Sequence, residues 1–216
     1  MKKIKGCIFD LDGVIVNTAK YHYLAWKRLA DELGFEFTEK DNEKLKGVSR
    51  MRSLEILLSV GGINASEEEK NKMAAKKNKW YVEYISKLDK SEILPGVENF
   101  INMIKNQGIK VAIGSASKNT MLILNRLEIK NLFDVIIDGN KVSKAKPDPE
   151  VFLLGAKGLN LKPEECVVFE DSEAGIEAAI RGHMHSIGIG NPDILKKAEK
   201  VIPGFEEKYI KMLKFC

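Results

Sequence analysis

Cys7-Ile8-Phe9-Asp10-Leu11-Asp12-Gly13-Val14 starts as an apolar run and breaks off in a carboxylate. The run reads as a buried strand. If the chain stays extended for two more residues, Asp10 and Asp12 point the same way while Leu11 turns back into the core. Their Cα atoms then lie roughly 6.6 Å apart, from a rise of about 3.3 Å per residue. Gly13 lets the backbone turn and a ligand come close. Two like charges at this spacing call for a divalent cation or a phosphoryl group. A solvated acidic loop is the plainer alternative, and the apolar residues on both sides of the acids speak against it. An EF-hand loop is excluded, because its fifth position would be Val14, which offers no side-chain oxygen.

Outward from this stretch the chain divides in two. Thr18 to Leu33 has a helical period, with His22, Trp26, Leu29 and Leu33 on one face and Gly34 as the stop. Thr38 to Leu45 is a charged helix running into the break Lys46-Gly47-Val48-Ser49-Arg50. Ser49 caps a helix carrying Met51, Leu54, Leu57 and Leu58. Ser66 with Glu69 forms a capping box that opens a longer one, striped by Met73, Trp80, Tyr81, Tyr84, Ile85 and Leu88. No strand signal occurs between about residues 16 and 89. From Ser91 onward strands and helices alternate, with strands at 109–114, 135–137, 166–169 and 186–189 and a helical tail from Phe205. Alternation of this kind predicts an α/β fold: a doubly wound, mostly parallel Rossmann-like sheet. Its core would comprise residues 1–15 and 91–216, with residues 16–90 inserted as an all-helical cap. The hinge is expected near residues 15–18 and 86–92.

Composition sets bounds. The 216 residues include 44% apolar ones, enough for a sizeable core. With 35 basic and 31 acidic residues the net charge is +4, which suits anionic small molecules but announces no nucleic-acid partner. Cys7, Cys166 and Cys216 read as free thiols of a reducing compartment. Neither a signal peptide nor an apolar run of about 18 residues is present, so the expectation is a cytoplasmic protein with no membrane partner. A monomer is the default, since no exposed apolar stripe demands a partner.

In open α/β sheets ligands bind beyond the carboxyl ends of the strands. Those ends carry Asp10 and Asp12, then Ser115, Ser117, Lys118 and Asn119, then Glu170 and Asp171. Lys146-Pro147 follows the third strand. Four carboxylates, one hydroxyl and one ammonium converging on a point are the inventory for magnesium-assisted phosphoryl transfer. Taken singly, Ser115 also fits a helix cap, Lys146 a surface lysine, and Glu170-Asp171 a pair complementing a helix dipole. Their joint position at strand ends favours the site.

Asp10-Leu11-Asp12-Gly13, Ser115, Lys146-Pro147 and Glu170-Asp171 together resemble the four motifs of the haloacid dehalogenase-like phosphotransferases. The resemblance spans the whole chain. It implies that Asp10 is a nucleophile forming an aspartyl phosphate and that Asp12 is the general acid and base. Ser115 and Lys146 would hold the transferring phosphoryl group. Asp10, Glu170, Asp171 and the backbone carbonyl of Asp12 would bind Mg²⁺. Lys144 rivals Lys146, but the proline that follows favours the latter.

The helical segment narrows the match. The stretch Thr18 to Trp26 (with His22), the Lys46-Gly47-Val48-Ser49-Arg50 run with Ser53, Lys77-Asn78, and Ser115-Ala116-Ser117-Lys118-Asn119 are similar to the β-phosphoglucomutase branch of that family. The resemblance makes these residues substrate-binding. It implies interconversion of β-D-glucose 1-phosphate and D-glucose 6-phosphate through β-glucose 1,6-bisphosphate, which is both intermediate and priming donor. Arg50, with Ser117 and Asn119, would clamp the distal phosphate, and cap closure would exclude water. For His22 and Trp26, packing inside the cap is the competing reading; for Arg50, it is a solvated helix start. Asn17 stands where the family often has an acid. Gly114 stands where it has a larger residue, which predicts a looser phosphate loop. His183-Met184-His185 lacks a third ligand and is not read as a metal site. A sugar-phosphate phosphatase shares every core motif and is the first rival. A non-catalytic phosphosugar-binding module would be expected to have lost Asp10 or Asp12. Nucleotide binding is disfavoured, because Gly188-Ile189-Gly190 lacks the third glycine of a dinucleotide fingerprint and no P-loop occurs.

Overall fold

The computed structural model describes residues 4–209. Its centre is a six-stranded sheet in the order β3-β2-β1-β4-β5-β6, every pair parallel. The strands are β1 (Gly6–Phe9), β2 (Lys110–Gly114), β3 (Val135–Ile137), β4 (Cys166–Glu170), β5 (His185–Ile189) and β6 (Lys200–Ile202). All residues of β1 and β4 are buried, as expected of strands covered on both faces. Alternation sends Cys7 and Phe9 to one side and Ile8 to the other. On the first side Phe9 stacks on Phe169 with centroids 4.6 Å apart, beneath α5 (Val97–Asn106). On the second, Ile8 and Val168 meet α7 (Glu150–Gly158) and α8 (Glu173–Arg181). Cys7 and Cys166 are free and buried. The expected thiol at Cys216 lies outside the described residues, as does most of the helix expected from Phe205.

Register decides where chemistry can gather. Phe9 pairs with Ile113 on one side and with Phe169 on the other. The next residue of each strand therefore emerges at one edge: Asp10, Gly114 leading to Ser115, and Glu170.

Between β1 and α5 come α1 (Ala19–Leu33), α2 (Glu39–Glu43), α3 (Arg50–Val60) and α4 (Glu67–Ile85). Gly34 closes α1 in the left-handed conformation. Ser49 accepts from the Arg52 amide at the start of α3, and Ser66 and Glu69 form their reciprocal box on α4. Thr38 and Asp41 make a second such box on α2. α1 packs along α4, with Trp26, Leu29, Trp80 and Tyr81 buried. The two chain segments joining this helical block to the sheet lie side by side. Val16 bridges Ile93 in antiparallel fashion, Asn17 N donates to Glu92 O at 2.8 Å, and Leu94 N donates to Ile15 O at 2.9 Å. No helix among the described residues is long and apolar enough to cross a membrane.

Two expectations need correction. β6 is an additional strand, three residues long beside β5, too short and too charged at Lys200 to show a period. Gly114 does not loosen the loop it precedes: it is fully buried, and a Cβ there would sit 2.7 Å from Phe152 Cδ1 and 3.1 Å from Ile8 Cγ2. Phe152 of α7 fills the space a side chain at 114 would take.

Candidate active site

Asp10, Lys146 and Glu170 form a buried ionic knot beyond the strand ends. Lys146 Nζ donates to Asp10 Oδ1 at 2.6 Å and to Glu170 Oε2 at 2.8 Å. Its side chain is 0% exposed, so the ammonium has exchanged water for these two carboxylates. Burial works to lower its pKa, but the two carboxylates outweigh burial and push it up. Burial raises the Asp10 carboxyl to about 8, with Glu170 and Asp12 adding to the rise and Lys146 opposing it. Asp171 is pushed well up by burial and then by Glu170 and Asp10. Glu170 is held from behind: Ser172 N and Oγ donate to its Oε1 at 3.1 and 2.6 Å, and Ser172 Oγ in turn accepts from Gly175 N to start α8. Lys144, by contrast, is exposed beside Asp148 at 3.6 Å.

Asp10, Glu170 and Asp171 each offer an oxygen within 4.8 Å of the others. Hard oxygen donors and an excess of buried negative charge over the one ammonium are what a small divalent cation requires, so the residues present fit Mg²⁺. Gly13, at φ +82°, comes against the Asp171 carboxylate, where a Cβ would collide with it.

Asp12 lines the same cavity as Asp10 and meets the helical block with its carboxylate. Its Oδ1 accepts from Thr18 Oγ1 and from Tyr81 OH, the latter at 3.3 Å, and lies 3.7 Å from His22 Nε2. Burial raises its carboxyl, against the pull of these donors. His22 stacks on Tyr81 with centroids 3.9 Å apart, and its Nδ1 is 2.9 Å from Lys77 Nζ. Lys77 is only 2% exposed and lies over the Trp26 and Tyr81 rings at 4.4 and 4.8 Å. Burial, then the neighbouring cations, holds both His22 and Lys77 well below their usual values. Neutral His22 can therefore accept from Lys77 at Nδ1 and direct its Nε2–H toward Asp12.

Between sheet and helices lies a cavity of about 350 Å³. Asp10, Asp12, Lys146 and Asp171 line its floor; His22, Trp26, Lys46, Gly47, Val48, Ser49, Arg50, Ser53, Lys77 and Asn78 line it from the helical side. Ala116, Ser117, Lys118 and Asn119 complete a wall. Thr18, Ser115 and Glu170 are fully buried behind that surface. Ser115 does not cap α6 (Thr120–Arg126); its Oγ accepts from Ser117 N at 3.1 Å. The two sides are seated against each other. Asn119 Nδ2 donates to Asn78 Oδ1 at 3.0 Å, and Gly47 sits on Ser172 and Ala174. Sequence reasoning missed Asn42, Leu45, Gly139 and Val142 in the lining, and took Tyr81 only as part of an apolar stripe. Their residue types carry no signal; only the folded chain brings the first four to the cavity and Tyr81 to Asp12.

Residues 7–189 match the haloacid dehalogenase-like hydrolase family. The chain belongs to this family. Within it, the chain is 41% identical over 201 residues to the β-phosphoglucomutase of Bacillus subtilis, an alignment covering 92% of this chain and 89% of the relative. A phosphorylated carbohydrates phosphatase of Thermotoga maritima is 34% identical over 196 residues, covering 87% and 88% of the two chains. The crystal structure of β-phosphoglucomutase from Clostridium difficile superimposes with a TM-score of 0.91 at 45% identity, covering 97% of this chain and 96% of that one. The chain is thus a haloacid dehalogenase-like homologue of β-phosphoglucomutase.

Proposed function

We propose that this chain interconverts β-D-glucose 1-phosphate and D-glucose 6-phosphate through an aspartyl phosphate on Asp10 and a β-glucose 1,6-bisphosphate intermediate. The observation that carries the reading is a single cavity lined both by Asp10 with Lys146 and by Arg50 with Ser117 and Asn119. Such a cavity has a place for a reacting phosphate and another for a distal one. An Asp10 oxygen attacks the C1 phosphorus of the bisphosphate, and the bond from that phosphorus to the sugar oxygen breaks, so that glucose 6-phosphate leaves. Asp12, its carboxyl raised by burial, gives a proton to that leaving oxygen. In the other half-reaction the C6 hydroxyl of β-glucose 1-phosphate attacks the phosphoaspartate, Asp12 takes its proton, and the bond from phosphorus to the Asp10 oxygen breaks, which forms the bisphosphate. Lys146 and Ser115 steady the transferring group. Asp10, Glu170, Asp171 and the Asp12 carbonyl would hold Mg²⁺, whose chemistry is to neutralise charge on the phosphoryl oxygens.

On this reading residues 16–90 are the cap and residues 1–15 with 91–216 the catalytic core. The cap, seated through Asn78 and Gly47, keeps water from the phosphoaspartate. Asp10 and Asp12 are both present, which argues against a non-catalytic binding module. We further take the protein to be a cytoplasmic monomer whose partner is the phosphosugar, in keeping with two buried free thiols.

The phosphatase reading draws support from the Thermotoga maritima relative, a phosphorylated carbohydrates phosphatase 34% identical to this chain. One assay separates the two: β-glucose 1-phosphate with Mg²⁺ and a trace of the bisphosphate. Glucose 6-phosphate without comparable free phosphate is the expected product. Inorganic phosphate as the main product would replace the mutase by the phosphatase.

A further inference from the structure

The end of β3 and the loop after it are stitched to the loop after β2 by three hydrogen bonds. Ser115 N donates to Ile137 O at 3.0 Å, and Gly139 N donates to Ser117 O at 3.1 Å. The third is made by a side chain: Asn140 Nδ2 donates to Lys118 O at 3.1 Å. The same amide nitrogen lies 3.1 Å from Asp138 Oδ2, and the Asn140 backbone N donates to Asp138 Oδ1, also at 3.1 Å. Asp138 is 4% exposed and forms no ion pair among the described residues. Both of its oxygens therefore accept from Asn140. Gly139 comes so close to Ala116 that a Cβ there would strike the Ala116 carbonyl oxygen.

The bond to Lys118 O bears on the cavity because of what it does to one peptide group. The Lys118 carbonyl shares a plane with the Asn119 N–H. That N–H donates to Ser117 Oγ at 3.2 Å. Holding the carbonyl on one side thus aims the N–H at Ser117 from the other. Since Ser117 Oγ accepts there, its own hydroxyl hydrogen is left to donate into the cavity, toward an anion. Asn140 itself is exposed and does not line the cavity.

We propose that Asn140 is a positioning residue for the distal phosphate: oriented by Asp138, its carboxamide sets the Lys118–Asn119 peptide and through it the Ser117 hydroxyl. This rests on the mutase reading insofar as Ser117 and Asn119 serve the distal phosphate. The brace itself is a property of the fold.

Asn140→Ala and Asn140→Asp in the full chain test it; the aspartate keeps the shape but has no donor for Lys118 O. In both, KM for β-glucose 1-phosphate should rise about three- to tenfold, the loss of one well-placed hydrogen bond, with kcat within about twofold. Turnover of p-nitrophenyl phosphate, which has no second phosphate, should stay within about twofold of wild type. Amide exchange of the segment 115–119 should quicken about three- to tenfold without phosphosugar. Unchanged KM in both variants of a wild-type mutase overturns the proposal. So does an equal rise for both substrates, or a lower Tm with KM intact, which marks a merely structural residue. If wild type makes no glucose 6-phosphate, the distal-phosphate reading fails. Amide exchange then decides the brace separately, and equal exchange in wild type and Asn140→Ala would overturn it.

Discussion

Replacing Lys146 by Met keeps the length of the side chain and removes the ammonium from between two buried carboxylates. Breaking a buried ion pair from one side costs about 3–5 kcal/mol, because the remaining charge has lost both water and partner. Lys146 touches two acids, at 2.6 and 2.8 Å, yet the cost should not double. Asp10 is already raised to about 8, and losing the ammonium that opposes the rise drives it further up. Near neutrality it is then a neutral carboxyl, so the lost contact to Asp10 costs little, while Glu170 retains Ser172 N and Oγ. For a chain of this length 1 kcal/mol moves Tm by about 2–4 °C, so metal-free Lys146→Met should melt about 6–20 °C below metal-free wild type. The sign with pH follows from linkage. A carboxyl raised in the folded state supports folding below its unfolded value near 4 and withdraws that support as pH climbs through the folded one. Removing Lys146 raises Asp10 above about 8, so the deficit should be smaller at pH 5 and grow as pH climbs past about 8 toward 9. Mg²⁺, which can replace the lost positive charge at Asp10, Glu170 and Asp171, should recover part of it. Calorimetric melts of both proteins across that range, with and without Mg²⁺, supply the measurement. A deficit under about 3 °C, or one independent of pH, would refute the buried knot.

Arg50→Ala should lower kcat/KM for β-glucose 1-phosphate about 10- to 100-fold, the loss of charged hydrogen bonds to a phosphate, while p-nitrophenyl phosphate turnover stays within about threefold; equal loss of both would remove Arg50 from the distal site. Gly47→Ala places a methyl against Ser172 Oγ at a backbone φ of +72°. Steady-state assays should give a KM at least about tenfold higher and a larger share of free phosphate, since the cap no longer seats against α8. Added Mg²⁺ at about 100 times its Kd should raise the wild-type Tm by about 5–11 °C, and EDTA should reverse this and abolish turnover; a Tm indifferent to Mg²⁺ would exclude the acidic cluster as a metal site.

Much of the sheet was legible because parallel strands buried on both faces are short apolar runs, and four of them end in polar residues. Phe9, Ile113 and Phe169 were readable as strand residues, but that they stand in one register was not. Sequence order could bring Asp10, Ser115 and Glu170 to the same edge of the sheet without saying how close. β6 was not legible, since Lys200-Val201-Ile202 is too short to carry a period and depends on β5 for its pairing. Gly114 misled because its meaning lies in Phe152, 38 residues away in sequence and reached only through packing. Lys77 sits on a helix that is polar for most of its length, and nothing in its neighbours announces that its ammonium is buried over two aromatic rings.

Asp12 joins the two halves of the molecule. Its backbone belongs to the turn after β1, but the donors around its carboxylate, Thr18, His22 and Tyr81, all come from the segment that the linkers at 15–18 and 86–92 attach to the sheet. Shifting that segment outward would take the Thr18 and Tyr81 hydrogen bonds and the nearby His22 ring from a half-buried carboxylate and admit water in their place. On the proposed reading, seating the cap therefore does two things in one motion. It closes the cavity through Gly47 and Asn78, and it sets the proton-bearing group against the sugar oxygen. A cap held open would leave Asp10 with Lys146 and Glu170 intact, since that knot lies wholly within the sheet's own loops. Acceptance of a phosphoryl group from p-nitrophenyl phosphate, whose leaving oxygen needs no proton, should then survive where its return to a sugar does not.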